Sequence, residues 1–448
     1  MSNAMRHPSY LLFCLTSCVL YLTSHPANAQ GITKDFTVDG VRILLRQNPK
    51  NVISARLFVI GGTANYTLAQ QGIEALAFNT AMNGGTVSLD KTTFKTAAEK
   101  IGTLFDYSSD LDYSEMNMTC VKPQWGKSWA LFADAILNPA FNADEFGLIR
   151  DQMISNAKQN EANPDQFLTD TAMSFVFRGR GYEKNPDGTS SSLQKLSVED
   201  TKKFYKNTVN KSHCILVVVG NLTQDEVTAK VKATLSKLPA GTTPVTNPRV
   251  QITQSQQNIV DRDIATNYLI GLMSSPLLNS NDGIPMLLAM NILYDRLFIQ
   301  VRTKRGLSYA PAAYYSTSAV TSPFTEVYAS TDSPKKVIEV IVNELDDIKK
   351  NGFTPDELTN KKEYFLTQYL MGLETSASQS LALGRWAVRG NAKMYDEFTN
   401  KVNAVTLKDL NRVVDQNTNA IVWTYLGHKS DVQPADFKQT TTYQNKPY

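Results

Sequence analysis

The chain repeats one grammar twice, and that repetition constrains its fold more than any single motif in it. In the first half "FNADEF" (residues 141–146) opens a long helix, and in the second "FTPDEL" (residues 353–358) does the same. Each places an N-cap residue, Asn142 or Thr354, three positions before a glutamate, Glu145 or Glu357, the spacing of a capping box. Further along, each half offers another capped helix, "SVEDTKKFYKNTV" from Ser197 and "TLKDLNRVVDQNT" from Thr406. Each of these runs into a β-branched strand closed by glycine, "CILVVVG" at Gly220 and "AIVWTYLG" at Gly427. Upstream lie two apolar strands, "VISARLFVIGG" (residues 52–62) and "ATNYLIGLMSS" (residues 265–275), each followed by a helical segment. Between the halves, "LPAGTTPVTNPRV" (residues 238–250) is rich in Pro, Gly and Thr and reads as a linker. The expectation is an α+β chain of two homologous domains, residues 30–240 and 256–435, each a largely antiparallel sheet covered by helices. A linker at 241–255 joins them and a tail at 436–448 follows.

With 448 residues, 42% apolar and 19% charged, the chain can bury a sizeable core and is not of disordered composition. Residues 1–29 read as a leader: "MSNA" as a cloning scar, then from Met5 a basic start, an apolar run and Ala27-Asn28-Ala29 before Gln30. This predicts export, with the periplasm as destination. A lipoprotein box at Leu15-Thr16-Ser17-Cys18 ranks second, because the apolar run continues past Cys18 and a small-residue cleavage site follows it. No other stretch reads as a spanning helix, so no transmembrane anchor is expected. Removing the leader takes away Arg6 and no acid, leaving 44 basic against 42 acidic residues. That balance provides no general attraction to nucleic acid. Cys14 and Cys18 leave with the leader. Cys120 and Cys214 remain, both in strand-like segments, and the sequence leaves open whether they form a disulfide or stay as buried thiols.

Four stretches carry a family resemblance: "GIEALAFNTAMNGGT", "NEANPDQF", "GYEKNPDGTSSSLQKLSVEDTKKFYKNTVNKSHCILVVVGNL" and "DRLFIQVRTKRGLSY". In this order and spacing the chain resembles the pitrilysin and insulinase-type zinc metallopeptidases, in particular the branch similar to mitochondrial processing peptidase. The resemblance covers residues 32–435 and implies the fold shared by LuxS and the processing peptidases. Active members carry H-x-x-E-H on a helix. Positions i and i+4 share one helical face, so two imidazoles can hold Zn²⁺ while the glutamate at i+3 polarises water. A glutamate from a later helix completes the ligand set.

Anchored on Gly72 and "NGGT", the resemblance puts Ala75, Phe78 and Asn79 where the first histidine, the glutamate and the second histidine would stand. Anchored on Asn163-Pro164, it puts Asn156 at the third ligand. Alanine has no donor atom and phenylalanine brings an apolar ring where a base and a water are needed, so the site is expected to be filled rather than weakened, with no metal and no cofactor in this chain. The leader aside, the only histidines are His213 and His428, both at strand ends and neither beside a second ligand. Glu74 reads as a surface residue of the site helix. A cysteine nucleophile is weak, because His213 and Cys214 point to opposite faces of one strand.

The resemblance also implies a role for Arg302 and Tyr309. In the family a matching pair faces the zinc site and hydrogen-bonds the bound peptide, which suits a guanidinium and a phenol as donors to a peptide carbonyl. Gly306 between them permits a turn. Taken without the resemblance, Arg302 is one of several basic residues on a solvated helix and Tyr309 begins a core strand. The glycine-rich loop of many family members is short or missing before this helix, where "NILYDRLF" runs on without a break.

These expectations combine into a non-catalytic, substrate-binding subunit of an exported heterodimeric zinc metallopeptidase that cleaves unfolded peptides. Its partner would be a similar-sized chain bearing H-x-x-E-H and the zinc; a homodimer is also compatible. The alternative is a peptidase-derived peptide-binding or scaffold protein without a hydrolytic role.

Overall fold

The computed structural model describes residues 33–437; the expected leader and nearly all of the 436–448 tail lie outside them. Eleven described strands form two sheets. The first contains β1 (Thr33–Val38), β2 (Val41–Gln47), β3 (Val52–Ile60), β4 (Leu104–Ser109), β5 (Tyr113–Val121) and β6 (Cys214–Gly220), in the order β1-β2-β6-β3-β5-β4. The second contains β7 (Gln256–Asp261), β8 (Asn267–Ser274), β9 (Ala312–Tyr315), β10 (Phe324–Thr331) and β11 (Val422–Gly427), in the order β7-β11-β8-β10-β9. With β1 set aside the two orders coincide strand for strand, so the repeated grammar is a repeated topology. Each sheet has one parallel pair, β2 with β6 and β7 with β11, and is otherwise antiparallel. The unbroken apolar text of β6 fits its place inside the first sheet, where every residue is buried. β4 alternates exposed and half-buried residues, as an edge strand does.

The helices do not respect the boundary between the halves. The Pro164–Val176 helix of the first half packs on β8 and β11 of the second sheet. Its counterpart, the Ser376–Val388 helix of the second half, packs on β3 and β6 of the first sheet. Leu383 and Trp386 therefore share one buried cluster with Phe58, Ile215 and Val217. The two sequence halves are homologous in topology, but each completes its core with a helix from the other.

The connection between them is anchored as well as extended. Residues 241–253 carry no regular structure, yet Asn247 is buried and its side-chain amide donates to Thr63 Oγ1 and to Asp112 Oδ1, both at 3.1 Å. Asp112 is itself a junction. Its carboxylate accepts from the Val320 amide at 2.7 Å, from the Thr321 hydroxyl at 2.9 Å and from the Tyr182 hydroxyl. One buried acid thus ties together both halves and the segment that joins them.

The caps form where the sequence places them, with one difference. Thr354 and Glu357 make a full capping box, as do Thr406 and Asp409, and Ser197 accepts from the Asp200 amide at 3.1 Å. Asn142 accepts from the amides of Asp144 and Glu145, but the Glu145 side chain turns to Lys91 instead of back to Asn142, so that box is half made.

Two further expectations are corrected or resolved. Gly283–Thr303, 21 residues with a mean hydropathy of 1.3, is long and apolar enough to span a bilayer, contrary to the reading that no other stretch is. Most of it is buried, with Met286, Leu288 and Leu293 packed in the shared core, while Tyr294 and Ile299 are exposed. Cys120 and Cys214 are buried free thiols. β3 lies between their strands, which removes the neighbour relationship a disulfide would need.

Candidate functional site

The Ile73–Asn83 helix starts from Gly72, whose φ of 88° is a left-handed conformation that suits glycine. The position is crowded as well: a Cβ on Gly72 would come within 2.7 Å of the Gly188 Cα. The start of "GIEALAF" and the end of "NPDG" are thus in backbone contact, which gives a physical reason for both glycines.

From that start the helix is buried on nearly every side, and its sequence-predicted positions diverge. Ala75 is buried in a small core with Tyr66, Phe146, Met153 and Leu193. Phe78 is fully buried in a different cluster with Met82, and its ring meets Tyr205 edge-on at 6.0 Å. Asn79 is half-buried and accepts from Asn83 Nδ2 at 3.0 Å. Asn156 is exposed and accepts from Gln152 Nε2 at 2.9 Å.

These four residues do not fit zinc. One has no donor atom, one is a ring sealed into hydrocarbon, and two are neutral amides bonded along their own helices. Among the described residues no group of three His, Cys, Asp or Glu side chains is placed to hold a metal ion. His213 is buried, and burial lowers its pKa, partly opposed by backbone hydrogen bonding at Thr242 and Thr208. The His428 side chain is half exposed, 3.9 Å from the Asp263 carboxylate.

Glu74 is a correction. Expected on the surface, it is 0% exposed. One carboxylate oxygen accepts from Asn65 Nδ2 at 3.1 Å, and the buried Ser114 hydroxyl is the other hydrogen-bonding neighbour. Burial pushes the Glu74 pKa up to about 7, partly opposed by hydrogen bonding from Ser114 and Asn65. The sequence carried a signal for this: Glu74 stands inside "GIEALAF", where apolar residues leave the helix no solvent-facing side.

Arg302 and Tyr309 are brought together. The Gly283–Leu297 helix continues into a wider π-helical segment, Phe298–Thr303, on which Arg302 lies. Gly306 then turns the chain with a φ of 60° in open space, and Tyr309 returns over Arg302. The guanidinium carbon sits 4.1 Å from the Tyr309 ring centre and 4.8 Å from that of Phe298. Tyr309 is 78% exposed, so it does not begin a core strand.

A cleft of about 900 Å³ opens between the halves, a feature sequence reasoning missed. Asp110, Asp170 and Asp187 line it with Phe167, Tyr182 and Phe324. Burial raises the pKa of all three aspartates, and Asp187 is raised further by the charges of the other two. Their positions lie in separate stretches of sequence, and only the fold gathers them.

Comparison with known proteins places this architecture. Residues 42–190 match the family model described as Insulinase (Peptidase family M16), and residues 195–365 match the one described as Peptidase M16 inactive domain. An uncharacterized zinc protease, YmxG of Bacillus subtilis, is 22% identical over 404 residues, covering 84% of this chain and 93% of its own. A Helicobacter pylori relative described as the non-peptidase homolog YmxG is 20% identical over 370 residues, covering 80% of this chain and 84% of its own. The crystal structure of a peptidase M16 inactive domain from Pseudomonas fluorescens superposes with a TM-score of 0.81 at 18% identity, covering 89% of this chain and 98% of that one.

Proposed function

We infer that this chain, which belongs to the insulinase-type M16 peptidase family, is the non-catalytic, peptide-holding subunit of an exported heterodimeric zinc peptidase. The observation that carries the reading is a contrast within one molecule. Ala75 and Phe78, at two of the positions that would hold metal and base, are absorbed into packing at 0% exposure, while Arg302 and Tyr309 stand together and accessible. A chain with no use for peptide has no evident need to keep a guanidinium and a phenol paired on its surface. The relative described as a non-peptidase homolog supports the loss of hydrolysis in this chain.

In this reading the chain lacks the chemistry of bond cleavage and contributes binding. Arg302 and Tyr309 donate to the peptide, holding an extended segment against the partner's metal site. The acidic cleft favours a basic stretch of the substrate. The partner is a similar-sized chain with H-x-x-E-H, and both act in the periplasm on unfolded peptides.

The test is a pull-down of the tagged chain from native envelope extract, followed by peptidase assays. The expected result is co-elution of a chain bearing H-x-x-E-H, no turnover by either chain alone and turnover by the pair. Arg302→Ala or Tyr309→Phe in this chain is expected to reduce that turnover. Recovery of other proteins, with no peptidase among them, would favour a scaffold role instead.

A further inference from the structure

The stack around Arg302 is longer than the pair. Tyr294 and Phe298 have ring centres 6.3 Å apart with planes tilted by 37°, and Arg302 packs on Phe298, with Tyr309 closing over it. Tyr294, Phe298 and Arg302 stand four residues apart along the continuous helical run, so their side chains follow one face. Stacking engages the π face of a guanidinium and leaves its in-plane N–H groups free. Among the described residues no hydrogen-bond acceptor takes those N–H groups and no carboxylate pairs with Arg302. The same holds for the Tyr309 hydroxyl. Arg305 bonds to Gln300, through its carbonyl and its side-chain oxygen, and Lys304 and Arg305 stand within electrostatic reach of the half-buried Glu344, whose ionised form their charges favour.

We propose that this stack is a carboxylate-reading site, in which Phe298 and Tyr294 are positioning residues that hold the Arg302 fork for a carboxylate of a bound peptide, its C-terminus or an acidic side chain. The chemistry follows from the donor geometry. A planar fork with two parallel N–H bonds matches a carboxylate better than a single carbonyl, and the charge-assisted bonds are the stronger ones. The stack replaces the side-chain freedom of a long arginine with a fixed direction, which reduces the ordering cost on binding. The proposal rests on the peptide-holding role and names the group that is held.

The experiment is calorimetric or anisotropy titration of the full chain with one unstructured peptide in three forms: a free C-terminus, an amidated C-terminus, and an amidated C-terminus with one internal glutamate. The free acid is expected to bind about tenfold more tightly than the plain amide, the difference between a charge-assisted and a neutral hydrogen bond. Recovery of that affinity by the internal glutamate would identify side-chain carboxylates as ligands too; a weak response there would restrict the site to the C-terminus. Arg302→Lys, which keeps the charge and loses the fork, should erase the preference for acid. Phe298→Ala should reduce it about threefold or more while Phe298→Tyr retains it, and circular dichroism would verify that each variant is folded. Equal binding of acid and amide would overturn the carboxylate assignment and leave the peptide-holding role intact. Absence of binding by all three forms would overturn both.

Discussion

Gly384 lies against the ring of Phe58: a Cβ at that glycine would sit 1.9 Å from the ring's Cε2. Gly384 belongs to the Ser376–Val388 helix of the second half and Phe58 to β3 of the first, so this contact is where one exchanged helix meets its host sheet. Gly384→Ala is expected to destabilise the chain by about 2 kcal/mol or more through overpacking. Phe58→Leu in the same chain should recover part of that loss, because it removes ring atoms from the clash. Urea unfolding of the single and double variants checks the coupling, and additive losses would refute the contact as its cause.

Asp112 supports the same boundary by hydrogen bonding. Asp112→Ala takes the shared acceptor from the Tyr182 and Thr321 hydroxyls and the Val320 amide, at an expected cost of about 3 kcal/mol or more. The segment around Val320 and Thr321 should open first. Hydrogen exchange would show it as lost protection at those two amides ahead of global unfolding, and unchanged protection there would exclude the assigned role.

Glu74 makes stability depend on pH in a defined direction. Its carboxyl titrates near 7 in the folded chain against an ordinary value of 4.5. Below 4.5 it is protonated in both states and carries no penalty; as pH rises through 7 the folded chain must ionise a buried acid. Stability should therefore fall between those values, by about 3 kcal/mol from this group. Glu74→Gln removes the titration, so the variant should outlast the wild type at pH 8 and converge with it near pH 4.5. Parallel unfolding curves at all pH values would count against the buried acid as the source.

Gly306 is required for its backbone and not for space. Its φ is 60°, and nothing lies within 4 Å of where a Cβ would be. Gly306→Ala should cost about 1 kcal/mol through the left-handed conformation alone. Gly306→Asn, which tolerates that conformation, should cost less. If the turn sets Tyr309 over Arg302, alanine should also weaken peptide binding while asparagine spares it, a difference readable by titration of the two variants side by side.

Much of this was legible in the chain. The order of capped helices and glycine-ended strands required two like units, because capping and alternation are rules about near neighbours. The expectation that Ala75, Phe78, Asn79 and Asn156 stand where a metal set would be came from the resemblance, and their want of suitable donor atoms needed no coordinates. What the sequence could not state is which surface each apolar face would find. The Pro164–Val176 and Ser376–Val388 helices read as helices of their own halves, since apolar periodicity records that a face must be covered and not by what. Their exchange, the junction at Asp112, the gathering of Asp110, Asp170 and Asp187 and the burial of Glu74 were decided by contacts between residues far apart in sequence. Such contacts leave no local pattern, and only the tertiary structure brings them together.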